Sequence, residues 1–379
     1  MSKRCCIIGG GGYFGQHIAR QMQKDGYHTV LLDLTFVEID RDGFSLDEKK
    51  TTRIKGSLMD EATLEKAIKK SSLCFHIAAY GMAAAAALDS RRTFTTNVDG
   101  TMLVLIVCNR LHCRRIVFAS SVGVIFTDEP LDMVEEDHPK PDKYYSYYSE
   151  SKSDAEQFVR QANGDRLHTV CLRFRGIFGP GEKTATDRAA ESIQSGLYCF
   201  KIEKTRNVFT QFSGVDNCAQ ACSLAAKALF EKPEVVGGNS YTIVDGGDPV
   251  RSWEFWDPLV KALNRRPPSI QIPYNLVNYF LIANEFFFMM TGWFPPMINR
   301  LELNLMAITN TYSIERARRD LGYSPTNNHD LTEVCKYYSR RFERSPLPFT
   351  DYPSILHKIM LVSLLVLSIL LCVFIARFL

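Results

Sequence analysis

Residues 7–15 read IIGGGGYFG, four consecutive glycines set between a short apolar run and a stretch able to form a helix. The run at 5–8 has no polar side chain, as expected of a strand buried on both faces. Glycines at a strand-to-helix turn keep side chains away from the backbone amides and from the positive end of the helix, so an anionic group can come close there. Gly9, Gly12 and Gly15 are the positions at which that approach most requires a bare backbone.

A second apolar run, 28–32, ends in Asp33. A carboxylate about 20 residues past such glycines can accept hydrogen bonds from an adenosine ribose and repels a 2′-phosphate, which makes NAD the expected cofactor over NADP. The first half continues to alternate apolar runs with amphipathic stretches. Strands are expected at 5–8, 29–33, 53–55, 73–77, 115–120 and 169–174, and helices at 14–25, 61–70, 94–111 and 148–163. That order predicts a Rossmann-type, doubly wound parallel sheet with helices on both faces. The charged stretch 36–50 reads as solvated loop. Residues 1–175 are expected to form the nucleotide-binding domain. Residues 176–350, richer in glycine and proline at their start, are expected to form a smaller substrate lobe interleaved with that core.

Composition excludes some functions and suggests an address. With 45 basic and 42 acidic residues the net charge is only +3, which gives no reason to propose nucleic acid as a partner. The 11 cysteines form neither a C-x-x-C pair nor a disulfide framework, as in a protein facing the reducing cytosol. Cys218 and Cys222 alone make a poor metal site, and no metal is expected. There is no secretory apolar region at the N-terminus and no N-x-S/T sequon. By contrast, 359–376 reads IMLVSLLVLSILLCVFIA, uncharged and flanked by Lys358 and Arg377. At about 1.5 Å per residue it matches the roughly 30 Å apolar core of a bilayer, so a C-terminal transmembrane anchor is expected. A second apolar stretch, 272–298, contains Asn275, Asn278, Asn284 and Glu285. Those groups are costly inside a membrane, and an interfacial helix or a lid over a lipophilic pocket fits better than a second span.

Two further segments carry chemistry. Ser121 follows the fifth expected strand, and Tyr148 and Lys152 stand four residues apart, on one face of a helix. A tyrosine whose pKa is lowered by a neighbouring ammonium and an oxidised nicotinamide can take the proton of an alcohol as hydride leaves. Ser121 would hold the substrate oxygen, and Lys152 would also reach the nicotinamide ribose. Tyr144, Tyr145 and Tyr147 crowd the same region, so the choice of Tyr148 rests on its spacing to Lys152.

Taken together these segments resemble the extended short-chain dehydrogenase/reductases. The resemblance runs from about residue 4 to 325 and includes GGGGYFG, HIAA at 76–79, NVDGT at 97–101, YSESK at 148–152, GIFGPGE at 176–182 and LGYSP at 321–325. Tyr13-Phe14 in the turn, AYGM at 79–82, VIF at 124–126 and YTIVDGG at 241–247 are similar to the branch holding 3β-hydroxysteroid dehydrogenases and the family 42E members. The resemblance implies Ser121, Tyr148 and Lys152 as catalytic residues. It implies Gly9, Gly12, Tyr13, Phe14, Gly15, Asp33 and Ala78, together with Tyr148 and Lys152, as the NAD-binding set. Ile8, Ser57, Phe174, Phe178 and Gly214 depart from the usual residues of that family.

The expectation is therefore a membrane-anchored, NAD-dependent oxidoreductase acting on the 3β-hydroxyl of a steroid or sterol-like lipid. The resemblance also admits an isomerase step, a homodimer, and a single-pass endoplasmic reticulum location with the catalytic domain facing the cytosol. Two alternatives stand beside it. One is a sugar-nucleotide epimerase or dehydratase with the same core motifs, and the other is a catalytically weak NAD-binding membrane protein acting through partners.

Overall fold

The computed structural model describes residues 3–326 and 328–344. Seven parallel strands make the central sheet: β1 (Arg4–Ile8), β2 (His28–Asp33), β3 (Thr51–Lys55), β4 (Leu73–His76), β5 (Arg115–Ser121), β6 (His168–Phe174) and β7 (Ser240–Ile243). Their spatial order is 7-6-5-4-1-2-3. The chain runs outward one way from β1 and then returns to begin the other way at β4, which makes the β1/β4 junction the place where loops diverge and a crevice opens.

Helices α1 (Tyr13–Lys24) and α5 (Val215–Glu231) cover one face, while α2 (Glu61–Ile68) and α3 (Gly100–Arg110) cover the other; α4 (Tyr147–Gln161) lies against β5 and β6. Strands β1, β4 and β5 are buried almost without interruption, as a sheet covered on both faces requires. One core joins Ile7, Leu31 and Phe75 to Ile18 and Met22 of α1 and to Leu229 of α5. Ile8, Leu32 and Cys74 point the other way and pack with Leu64, Val104 and Val107.

The six expected strands are present within two residues of their expected limits. The seventh was not legible. Ser240–Ile243 pairs in parallel register with 171–174, so a four-residue segment from beyond residue 175 completes the nucleotide-binding sheet. The single helix expected at 94–111 is instead three pieces: Ser90–Phe94, a π-helical turn at Thr95–Asp99, and α3. Within the wide turn, Asn97 Nδ2 donates to the Tyr80 carbonyl and to Ser151 Oγ, both at 2.9 Å, and Oδ1 accepts from the Tyr80 amide at 2.8 Å. These bonds hold the extra residue and tie the loop after β4 to α4.

The lobe over the strands' C-terminal edge contains short strands and the helices α6 (Tyr274–Thr291), α7 (Arg300–Ala307) and α8 (Thr332–Arg344). Helix α6 occupies most of the apolar stretch 272–298 and ends at Gly292 in the left-handed conformation. Among the described residues no helix is long and apolar enough to cross a membrane. The expected anchor at 359–376 lies outside the described residues.

Candidate active site

The crevice at the β1/β4 junction opens into a cavity of about 1250 Å³ that extends beneath the lobe. The glycine turn forms part of its wall. Gly9 has φ +89°, and a Cβ there would lie 2.6 Å from the Ala78 amide nitrogen. At Gly15 a Cβ would lie 2.2 Å from the Gly9 carbonyl oxygen, so this glycine lets α1 seat on its own loop. Gly12 is different, because a Cβ would meet only the Gly9 carbonyl oxygen, at 3.5 Å. Nothing among the described residues demands a glycine there. As the N-cap of α1 it supplies no side-chain hydrogen bond, and the first turn carries no acidic residue.

A helix start left uncapped beside a cavity, with bare backbone in front, suits a pyrophosphate. Asp33 completes the cradle: Oδ2 accepts from the Gly11 amide at 3.0 Å and Oδ1 from Leu34 at 2.7 Å, which fixes the carboxylate at the cavity wall. Tyr13, Phe14, Ser57 and Ala78 also line it. Phe14 packs edge-on against Phe174, ring centroids 5.0 Å apart, so the aromatic ring that departs from the resemblance at this position holds the turn to the end of β6. The residues present fit a dinucleotide with an adenosine ribose near Asp33.

Ser121, Tyr148 and Lys152 line the same cavity. Ser121 ends β5, and its Oγ accepts from the Gly123 amide at 3.1 Å, capping the turn that follows. Tyr148 and Lys152 sit in α4, whose N-cap Ser146 accepts from the Ser149 amide at 3.2 Å. The buried stripe of this helix is Tyr148, Ser151, Lys152, Ala155, Glu156 and Val159, a core-facing spacing filled mostly with polar groups. Of the four crowded tyrosines only Tyr148 reaches the cavity. Tyr144 donates to Ser153 Oγ at 2.7 Å, Tyr145 packs against Phe126, and Tyr147 is exposed.

Burial dominates the electrostatics. Tyr148 is 7% exposed, and desolvation pushes its phenol up to about 12 while a hydrogen bond with Ser121 pulls it down. The Lys152 ammonium, expected to lower that phenol, is not among the groups that shift it. Burial has drawn Lys152 itself down to about 7, and Nζ donates to the Ala119 carbonyl at 2.7 Å. Of the chain's own groups, the Ser121 hydroxyl is the one that eases ionisation of Tyr148.

One turn beyond Lys152 lies a network that the sequence did not announce. Glu156 accepts from Arg173 at 2.6 Å, from Ser120 Oγ at 2.5 Å and from Ser240 Oγ at 3.0 Å. Arg173 donates further to the Glu136 carbonyl at 2.8 Å. Helix α4 is thereby bonded to β5, β6 and β7, with the ion pair almost wholly buried. The only hint in the sequence was a glutamate four residues after Lys152.

Lobe residues complete the cavity: Leu197, Phe200, Phe212, Trp253, Trp256, Leu301 and Leu305. Gly214, a second departure, donates its amide to Asp245 Oδ1 at 2.9 Å and lies outside the cavity wall.

Residues 6–274 match the model of the 3-beta hydroxysteroid dehydrogenase/isomerase family. Among curated proteins, the chain is 35% identical over 289 residues to the 3beta-hydroxysteroid dehydrogenase/Delta(5)-Delta(4) isomerase 1 of Caenorhabditis elegans, covering 76% of this chain but only 62% of that protein. It is 33% identical over 352 residues to the short-chain dehydrogenase/reductase family 42E member 1 of Macaca fascicularis, covering 88% and 86%. Two solved structures share the fold. A UDP-glucose 4-epimerase of Thermotoga maritima with UDP-glucose superposes with TM-score 0.65 at 17% identity, covering 90% of this chain and 99% of that one. A Bordetella bronchiseptica enzyme in complex with NAD+ gives 0.66 at 20% identity, covering 91% and 99%.

Proposed function

The chain belongs to the 3-beta hydroxysteroid dehydrogenase/isomerase family, and from that premise we propose that this NAD-dependent oxidoreductase oxidises the 3β-hydroxyl of a steroid or sterol-like lipid. The observation that carries the reading is the shared cavity. A dinucleotide cradle, the Ser121/Tyr148/Lys152 group and an apolar wall from the lobe all face one space. At about 1250 Å³ that space exceeds the roughly 300–1,000 Å³ of an ordinary ligand pocket, which leaves room for a cofactor and a bulky substrate together.

Bound NAD+ supplies the hydride acceptor and a positive charge beside the phenol. Tyr148 then takes the hydroxyl proton, and Ser121 holds the substrate oxygen as charge develops on it. Lys152 binds the nicotinamide ribose, and the Glu156–Arg173 pair keeps the helix bearing both residues at its working distance from Ser121. A steroid isomerase step after oxidation would use the same cavity.

The lipid substrate and the membrane belong to one picture. Helix α6 exposes Tyr279, Ile282, Phe286, Phe287, Met289 and Met290, and the loop after it exposes Trp293, Phe294 and Met297. Met297 and Ile298 also line the cavity. An apolar surface at a cavity wall suits an interfacial segment through which a bilayer-dissolved substrate enters. Residues 359–376 would anchor the chain in the endoplasmic reticulum membrane with this face turned to the bilayer.

The test is spectrophotometric: full-length protein in detergent, NAD+ and a panel of neutral and acidic 3β-hydroxysterols, followed by NADH absorbance. The expected result is turnover that Tyr148→Phe abolishes. Silence across the panel from wild type that still binds NADH would sink the steroid reading. A sugar-nucleotide epimerase or dehydratase is the second reading, favoured by the shared fold and opposed by the apolar lobe wall.

A further inference from the structure

Two residues past the paired Arg173 stands a second buried arginine, with no acid bonded to it among the described residues. Arg175 is 6% exposed and lines the cavity. Its Nε donates to Asn310 Oδ1 at 2.7 Å, and Nη2 donates to Thr210 Oγ1 and the Leu305 carbonyl, both at 3.0 Å. All three acceptors are neutral. Nη1 has no hydrogen-bond partner among the described residues, nor is it among the side-chain atoms sealed from solvent without a partner. The unbonded nitrogen is therefore not sealed from solvent, and it belongs to a residue that lines the cavity. The ring of Phe212 supports the guanidinium from 5.0 Å.

A guanidinium stays protonated even here: burial lowers its pKa only to about 10. Its cavity neighbour Arg188 has a carboxylate of its own, Glu302, and Arg173 has Glu156. A buried charge without a counter-ion is costly. Tethering Thr210, Asn310 and Leu305 explains two of the nitrogens and leaves both the charge and the third nitrogen unexplained. A ligand that brings a negative oxygen explains them.

We propose that Arg175 sets the specificity of the cavity by pairing Nη1 with an anionic oxygen group, a carboxylate or sulfate, on an otherwise apolar substrate. The inference rests on the reading of this cavity as the substrate chamber and narrows it to acidic lipids. The diphosphate of a sugar nucleotide offers the same chemistry, but the neighbouring wall of Leu197, Phe200, Trp253, Trp256 and Leu301 favours the lipid.

The experiment uses full-length protein with NAD+ and three probes: 3β-hydroxy-5-cholenoic acid, its methyl ester, and UDP-glucose. Binding is read from the fluorescence of Trp253 and Trp256, both of which line the cavity, and turnover from NADH. The acid is expected to bind about tenfold tighter than the ester, as a charge-assisted hydrogen bond provides. Arg175→Gln is expected to bring the two together, and Arg175→Lys to keep part of the preference. An acid that binds no better than its ester in wild type overturns the proposal, and that comparison stands even if Arg175→Gln does not fold. A preference that survives Arg175→Gln in protein still binding NADH also overturns it. UDP-glucose binding tighter than the acid, and lost in Arg175→Gln, overturns the lipid source. Preferred binding of the acid without NADH from any sterol upholds the anion site and sinks the oxidation reading. NADH from acid and ester with equal binding does the reverse.

Discussion

Lys152 Nζ donates to the carbonyl oxygen of Ala119 at 2.7 Å, which bonds the helix carrying Tyr148 to the strand that ends in Ser121. The lysine is thus a spacer as well as a charge: it sets how far the phenol stands from the serine hydroxyl, and its ammonium sits in a place that burial makes unfavourable for it.

That desolvation has a pH signature in the cofactor-free protein. The folded pKa of Lys152, about 7, lies below its ordinary value of 10.5. Between those values the unfolded chain binds more protons than the native one, so stability rises with pH through this window, by at most roughly 1.4 kcal/mol per pH unit. Lys152→Met is expected to flatten the curve: relative to wild type it gains most near pH 6 and least near pH 10. Thermal unfolding across that range checks it, and parallel curves for the two proteins would mean that the lysine is not desolvated.

Tyr148→Phe keeps the ring and removes the proton acceptor. Loss of a general base costs about 10²- to 10⁴-fold in rate, and kcat is expected to fall within that range while NADH affinity changes less than about threefold. In wild type the rate of alcohol oxidation is expected to rise with pH, because burial holds the phenol at about 12 before cofactor binds. A flat profile from pH 6 to 10 would remove Tyr148 from the base role.

Glycine substitutions should separate folding from binding. Gly12→Ala adds a methyl where the protein leaves space, with only the Gly9 carbonyl oxygen at 3.5 Å. It is expected to leave Tm within about 2 °C while weakening NADH about tenfold or more, since the methyl faces the cradle. Gly15→Ala puts the methyl 2.2 Å from the Gly9 carbonyl oxygen and should lose both stability and binding. NADH fluorescence titration alongside thermal unfolding distinguishes the pair.

Glu156→Gln leaves Arg173 buried without its counter-charge. Breaking one partner of such a pair costs about 3–5 kcal/mol, and the variant is expected to lose about that much by denaturant unfolding. Because Glu156 also receives Ser120 Oγ from the strand that ends in Ser121, kcat is expected to fall with little change in KM. A variant as stable and as active as wild type would show that this network does not position the helix.

Much of the nucleotide-binding half was legible because its signals are local. Apolar runs bounded by turns mark β1, β2, β4, β5 and β6, the glycine spacing marks the turn into α1, and a carboxylate at a strand end marks Asp33. A separation of four residues puts Tyr148 and Lys152 on one helical face whatever surrounds them. What the sequence could not decide depends on partners far along the chain. Ser240–Ile243 is too short to declare itself and becomes a strand only because β6 offers it an edge and the carboxylate of Glu156 bonds Ser240. The π turn around Asn97 exists because Tyr80 and Ser151 reach it from two other segments.

Charge was least legible of all. Arg173 and Arg175 are near neighbours in one strand and loop, yet packing gives one a glutamate and leaves the other facing the cavity with a nitrogen unbonded. The burial that raises Tyr148 and draws down Lys152, where the ammonium was expected to ease the phenol, is likewise a property of the assembled interior. Local order in the chain determined which groups this protein possesses and on which elements they ride. Their solvation and their partners, and with them their chemistry, were decided by the tertiary structure, because desolvation and pairing depend on what lies around a group in space and not on what precedes it in the chain.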